Sequence, residues 1–220
     1  NEVIANRGLE IMGKQKGEYH FLHPNNDVNC SQSTNDVYPT AARLAIVFSD
    51  DPLIEAVQKL QSALTDKAKE FDTVLKLGRT QLQDAVPMTL GQEFNGWSVT
   101  LGEDMDRMQD LARTFSEVNL GGTAIGTGIN TDPKYTPVVM KKLAEVTGVD
   151  VKSSPCLIEA TSDMGDFMLF SGLLKRLAVK LSKIANDLRL LSSGPRGGFN
   201  DLNLPPMQPG SSIMPGKVNP

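Results

Sequence analysis

The chain has 220 residues, 40% hydrophobic and 22% charged, with a formal net charge of −4. This is the composition of a globular protein with enough chain for one large or two smaller cores; its acidic balance and lack of a long Lys/Arg cluster exclude tracking of a nucleic-acid backbone. The most apolar region, Phe167 to Leu191, is interrupted by Lys175, Arg176, Lys180, Lys183 and Arg189, which excludes a bilayer-spanning helix there and with it a membrane partner.

In chain order, the first predicted element covers Asn1 to Met12, where Val3, Ile4, Leu9 and Met12 are spaced to share a helix face. The chain opens without a methionine and already inside a helical pattern, so it reads as an internal piece of a longer protein. Gly13 to Asn29 is a polar connection that holds both histidines, His20 and His23. An HxxH pair with only Asp27 as a nearby carboxylate lacks a metal ligand set, so these two read as surface or packing residues and no metal is expected. Cys30 and Cys156 match no metal or redox spacing, and a reduced cytoplasmic compartment fits them best.

Cys30-Ser31-Gln32-Ser33-Thr34-Asn35-Asp36 precedes an apolar-periodic run from Val37 to Phe48. Small hydroxyl and amide side chains at that place mark a helix N-terminus, whose free N–H groups and positive dipole end favour an anion. Ser33, Thr34 and Asn35 are therefore candidates to bind a carboxylate; simple N-capping is the alternative and needs only one of them. Asp51-Pro52 reads as a second helix start, followed by an apolar stripe from Leu53 to Phe71. Lys76 to Pro87 reads as a connection from which Thr80, Gln81 and Gln83 project, with Pro87 opening the next helix. Leu90, Phe94, Trp97, Leu101, Met105, Met108, Leu111, Phe115 and Val118 then predict one long helix with a core-facing stripe.

Asn119 to Asn130 is glycine-rich, but its spacing fits neither the dinucleotide fingerprint nor the Walker pattern, so it reads as a close-approach turn and no nucleotide cofactor is expected. A shorter helix follows over roughly Pro137 to Thr147, and a last long one over about Ser162 to Leu191. The latter is apolar around much of its circumference, which calls for several neighbouring helices, including ones from another subunit. No strand alternation stands out, and the predicted class is all-α, a bundle of long helices.

The chain ends in Gly210-Ser211-Ser212-Ile213-Met214-Pro215-Gly216-Lys217-Val218-Asn219-Pro220. Glycine and proline at this density exclude a regular helix or strand and specify a loop. Two hydroxyls, one ammonium at Lys217 and one carboxamide at Asn219 suit acid/base work on a small carboxylate, although a Ser/Gly/Pro connection with a solvated lysine would look similar.

Letter for letter, this run resembles the signature loop of the aspartase/fumarase superfamily. Ser33-Thr34-Asn35, Gly78-Arg79-Thr80 and Gly121-Gly122-Thr123-Ala124 resemble further segments of that family, so the likeness spans almost the whole chain. The resemblance implies the family's long-helix bundle, with residues 1–30 as the end of a first domain and 31–220 as a central helical domain cut inside the signature loop. It implies a lyase that releases ammonia from L-aspartate to give fumarate, with Ser211 as general base acting as an alkoxide. Lys217 and Asn219 would hold one substrate carboxylate, Ser33, Thr34 and Asn35 the other end or the amino group, and Thr80 and Gln81 would contribute further contacts. It also implies a homotetramer whose sites are shared between subunits. Fumarases typically carry histidine after Gly-Arg-Thr and read Ser-Ser-Asn in the earlier loop; Gln81 and Ser33-Thr34-Asn35 side with the aspartase branch. The alternatives are a fumarase and, from another class, a non-catalytic helical assembly protein, which would have no need of four polar motifs.

Overall fold

The computed structural model describes residues 1–220, which divide into two units: Asn1–Asp50 with Leu111–Phe167, and Asp51–Asp110 with Met168–Pro220. The elements are α1 (Glu2–Ile11), a π-helical turn (Pro24–Val28), α2 (Thr34–Glu70), β1 (Leu75–Thr80), β2 (Gln83–Thr89), α3 (Leu90–Ala112), a 3-10 turn (Arg113–Ser116), β3 (Glu117–Val118), α4 (Tyr135–Thr147), β4 (Lys152–Ser153), α5 (Leu157–Ser162) and α6 (Gly165–Leu191). The fold is all-α, with strands confined to a hairpin and one short parallel pair. No helix is long and apolar enough to cross a membrane.

In the first unit, α1 buries Ala5 and Leu9, while Val3, Ile4 and Met12 of the predicted face lie open. Leu44 of α2, Val118, Leu120, Met140 of α4 and Val151 form its apolar core. Beside them Arg43 lies between the rings of Phe115 and Phe167, 5.6 and 5.4 Å from their centroids, and pairs with Asp166 at 2.9 Å. His23 accepts the backbone N–H groups of Asn25 and Asn26 at its Nδ1, so it caps the π-helical turn.

The second unit is built on three helices. Phe94, Trp97, Leu101 and Met108 of α3 face Ile54, Val57 and Leu64 of α2 and Leu177, Ile184 and Leu191 of α6. The last three recur every seventh residue, which keeps one seam of α6 pointed inward along its length. Lys180 of α6 is bound to the buried Asp104 of α3 at 2.8 Å, with Arg176 3.1 Å from the same oxygen.

Four boundaries differ from those read in the sequence, each for a physical reason. Asp51-Pro52 does not start a helix: α2 runs unbroken for 37 residues, roughly 55 Å, through the proline. A mid-helix proline costs about 3 kcal/mol, and here Leu44 on one side and Ile54, Val57 and Leu64 on the other are buried in cores that hold the helix together. The stripe from Leu90 to Val118 stops being α-helical at Ala112, where Thr114 and Ser116 hydroxyls donate to the carbonyls of Leu111 and Arg113. Val118 then pairs with Ser153 in the parallel strand pair. The last helix starts at Gly165 and not at Ser162, because Asp163 is extended and its carboxylate accepts the N–H of Gly165, which separates it from the short α5.

The fourth difference is Lys76 to Pro87, which is no loose connection but most of a β-hairpin. Thr80 pairs with Gln83, and the two linking residues, Gln81 and Leu82, have φ of 52° and 59°. Positive φ at both positions is the signature of a type I′ turn, usually built from Asn-Gly. Pro87 is accepted because a two-stranded sheet has only edge strands. The helix starts after it, at Leu90, with Thr89 and Gln92 exchanging side-chain-to-backbone hydrogen bonds.

Candidate active site

In the first unit the expected site residues sit at the N-terminus of α2. Ser33 is half-buried and Thr34 and Asn35 are exposed, whereas Asp36 is wholly buried. The Ser33 hydroxyl accepts the N–H of Asn35 at 3.2 Å, and Asp36 Oδ1 accepts the N–H of Ser33 at 2.9 Å, a reciprocal cap. Asp36 Oδ2 accepts two more N–H groups, from Gly121 at 3.1 Å and Thr123 at 2.9 Å. Asn35 donates its amide to the carbonyl of Ala124, and Asn119 donates to the carbonyl of Asn35. Asp36 thereby fastens the Gly-Gly-Thr-Ala loop to the Ser-Thr-Asn cluster. Capping is realised here, and it occupies most of the N–H groups that the sequence offers to an anion; the groups left to a ligand are side-chain hydroxyls and amides.

In the second unit Thr80 and Gln81 stand exposed at the hairpin tip. Behind the tip, Arg79 clasps Asp201 through both terminal nitrogens and lies 4.1 Å from the centroid of Phe199. Lys76 pairs with Glu93 and is 3.5 Å from Asp201. The hydrogen bond to Asp201 holds the Arg79 guanidinium above its usual range. Burial pushes the Asp201 carboxyl up, but Arg79 and then Lys76 outweigh it, and the group sits below the ordinary carboxylate range.

Ser211, Lys217 and Asn219 share one loop, and its ends are stapled together. The N–H groups of Met207 and Gln208 donate to the carbonyl of Asn219 at 2.9 and 3.2 Å, and the Asn219 amide donates to the carbonyl of Pro209 at 2.6 Å. Gly210 is required by contact: a Cβ there would lie 2.5 Å from the carbonyl oxygen of Lys217. Within the loop the N–H groups of Ile213 and Met214 both point at Ser211 Oγ, each at 3.2 Å. Two backbone donors aimed at one hydroxyl oxygen are the arrangement that stabilises an alkoxide. Lys217 is exposed on the same loop, so its charge is open to an incoming anion.

The family model described as Lyase matches residues 1–220. The chain belongs to this lyase family. Among related sequences, the aspartate ammonia-lyase of Pseudomonas aeruginosa is 65% identical and that of Escherichia coli K12 60% identical, each over 100% of this chain and over 47% and 46% of its own length. The chain thus spans about half the length of the curated relatives it matches. Among solved lyase-family structures, the fumarate lyase:delta crystallin from Brucella melitensis bound to cobalt aligns with a TM-score of 0.96 at 58% identity, covering 99% of this chain and 47% of that one. The class II fumarase from Schistosoma mansoni aligns with a TM-score of 0.91 at 34% identity, over 99% of this chain and 49% of that one.

The expected site residues therefore fall in three places: Ser33-Thr34-Asn35 in the first unit, and, in the second, Thr80 and Gln81 at the hairpin tip and Ser211, Lys217 and Asn219 in the last loop. Three supporting residues escaped the sequence reading: Asp36, Arg79 and Asp201. The first had a signal in the Ser-x-x-Asp spacing of a cap. The pairing of Arg79 with Asp201, 122 residues on, had none.

Proposed function

We propose that the protein carrying this chain is a carbon–nitrogen lyase that converts L-aspartate to fumarate and ammonia. The observation that carries the reading is 60 to 65% identity, along the whole chain, to aspartate ammonia-lyases. The geometry of Ser211 supports it chemically. As an alkoxide held by the N–H groups of Ile213 and Met214, Ser211 removes a proton from the carbon next to one carboxylate; the electron pair left behind spreads onto that carboxylate and then forms the double bond of fumarate as the C–N bond breaks and ammonia leaves. Lys217 and Asn219 bind a substrate carboxylate, Ser33, Thr34 and Asn35 bind the opposite end, and Thr80 and Gln81 complete the contacts. The site needs no cofactor in this scheme.

Sharing of sites in a homotetramer accounts for site residues that stand in three separate places, and the apolar residues left open on α6, such as Met168, Leu169 and Val179, suit burial against other copies. Residues 1–30 are the end of a first domain and residues 31–220 the central one. A cytoplasmic site of action suits the two unpaired, exposed cysteines. Hydration of fumarate is the weaker reading, since Gln81 stands where fumarases typically have histidine and the fumarase likeness is 34% identical.

The test is fumarate formation by the full-length protein from L-aspartate, with L-malate in parallel. Fumarate from aspartate alone, lost by about 10²–10⁴-fold in kcat in Ser211→Ala, is the expected result. Fumarate from malate alone would refute the assignment in favour of a hydratase.

A further inference from the structure

The hairpin that presents Thr80 and Gln81 is poorly held by apolar packing. Thr80, Gln81 and β2 from Gln83 to Pro87 are exposed, and Val86 and Leu82 lie open to solvent. A two-stranded hairpin by itself is marginally stable, and this one carries two non-glycine residues at positive φ in its turn. Something other than a hydrophobic face must hold the tip in place.

The strand itself supplies the device. Residues three apart on a regular strand point to opposite faces. Between Leu77 and Arg79 the pairing register shifts, because β2 places two residues, Ala85 and Val86, opposite the single Gly78 of β1. Gly78 fits because its missing Cβ would lie 2.9 Å from the carbonyl of Val86 and 3.2 Å from the sulfur of Met88. Lys76 and Arg79 flank this irregularity and both meet Asp201, and Lys76 also meets Glu93. Asp201 is itself fixed, since its N–H donates to the carbonyl of Leu191 at the end of α6, and the neighbouring N–H groups of Phe199 and Asn200 donate to Ser193. Asp201 lies ten residues before Ser211 in the chain. A cavity of about 340 Å³, lined among others by Lys76, Arg79, Gln81, Glu93 and Phe199, opens beside the latch, so Gln81 and the latch face common space.

We infer that Arg79 is a positioning residue: its clasp on Asp201 and Phe199 sets where Thr80 and Gln81 stand relative to the segment that leads into the Ser211 loop. The inference rests on the deaminase reading for the role of Gln81, but the latch itself is a statement about the hairpin. Arg79 touches no reacting atom. It acts by holding the tip of a hairpin that has little else to hold it, and a planar fork that also stacks on a ring does this in a way that lysine does not.

The experiment uses the full-length protein and the variants Arg79→Ala, Asp201→Ala, their double mutant, and Arg79→Lys. Hydrogen exchange of the amides from Leu75 to Thr89 reads the latch directly, and steady-state kinetics on L-aspartate read its consequence. Arg79→Ala and Asp201→Ala should each speed exchange at Thr80 to Gln83 more than tenfold while α3 is unchanged. Each should lower kcat/KM on the order of ten- to a hundredfold, the loss expected from a displacement of about 1 Å. The double mutant should be no worse than the worse single one, and Arg79→Lys should recover less than half of the loss on a logarithmic scale. Hairpin exchange as in the wild type, or additive kinetic losses, overturns the inference. If the wild type makes no fumarate from aspartate, the deaminase reading fails and the exchange measurement alone decides the latch.

Discussion

Removing the Asp36 carboxylate is the sharpest perturbation of the first unit. Asp36 is fully buried, and its two oxygens accept N–H groups from Ser33, Gly121 and Thr123. Hydrogen bonds to a charged group contribute about 1.5–3 kcal/mol each, and a buried donor left without a partner costs about 1–3 kcal/mol. These terms overlap, because the Gly121–Thr123 loop is free to shift once released, so Asp36→Ala should cost about 3–5 kcal/mol, a large share of the 5–15 kcal/mol typical of a domain. Asp36→Asn separates geometry from charge. Its carbonyl can take the Oδ2 place and keep Gly121 and Thr123, but its NH₂ then faces the N–H of Ser33, so the loss should be smaller, about 1–3 kcal/mol. The assay is urea unfolding of wild type and both variants at one fixed protein concentration, since stability of an oligomer depends on concentration, with hydrogen exchange at Gly121 to Ala124 as local readout. An Asp36→Ala midpoint within 1 kcal/mol of wild type at unchanged slope, or a loop that exchanges no faster, would refute the account of Asp36 as the fastening of that loop.

Two further expectations follow from the second unit. The Asp201 carboxyl is held below its unfolded value of about 3.9, so its pairing stabilises the fold fully above that value and the contribution fades as pH falls through the folded value; the stability gap between wild type and Asp201→Asn should therefore be constant near neutrality and close on acidification, and a gap that persists unchanged at pH 3 would count against it. Gly210→Ala places a methyl group 2.5 Å from the carbonyl of Lys217, which forces the exposed loop to move; kcat should fall by about tenfold or more while the thermal midpoint shifts little, and kcat equal to wild type would show that the loop tolerates the displacement.

The helices were legible because their signal is redundant. The stripe Phe94, Trp97, Leu101 and Met108 repeats the same message over several turns, and all four are buried. A single local signal carried less weight: Asp51-Pro52 has the form of a helix start, yet long-range burial on both sides of it prevails. The face of α1 was misjudged for a related reason, since Ala5 is small enough to be fully buried while the larger Val3 and Ile4 are not. The hairpin was hidden because its turn is Gln-Leu, where the left-handed conformation is imposed by its surroundings and not by an Asn-Gly pair.

The site divides along the same line. The groups proposed for it could be named from motif letters, because Ser211, Lys217 and Asn219 lie within one short loop. Which of those groups remain available could not, because that depends on partners distant in sequence. The N-terminus of α2 shows this most clearly. Its sequence offers unpaired N–H groups to an anion, yet the Ser33 hydroxyl and the Asp36 carboxylate take up donors there and Asp36 adds a negative charge of its own. On the proposed reading, a dicarboxylate at that end would meet mainly side-chain hydroxyls and amides, with most of the helix N–H groups already taken. Attraction for the substrate's charge would, on that reading, come mainly from the last loop, where Lys217 is exposed and two N–H groups converge on Ser211. In the proposed scheme the Ser33–Asn35 end would supply shape and hydrogen bonding, and the Ser211 loop both the charge that draws the anion in and the base that acts on it.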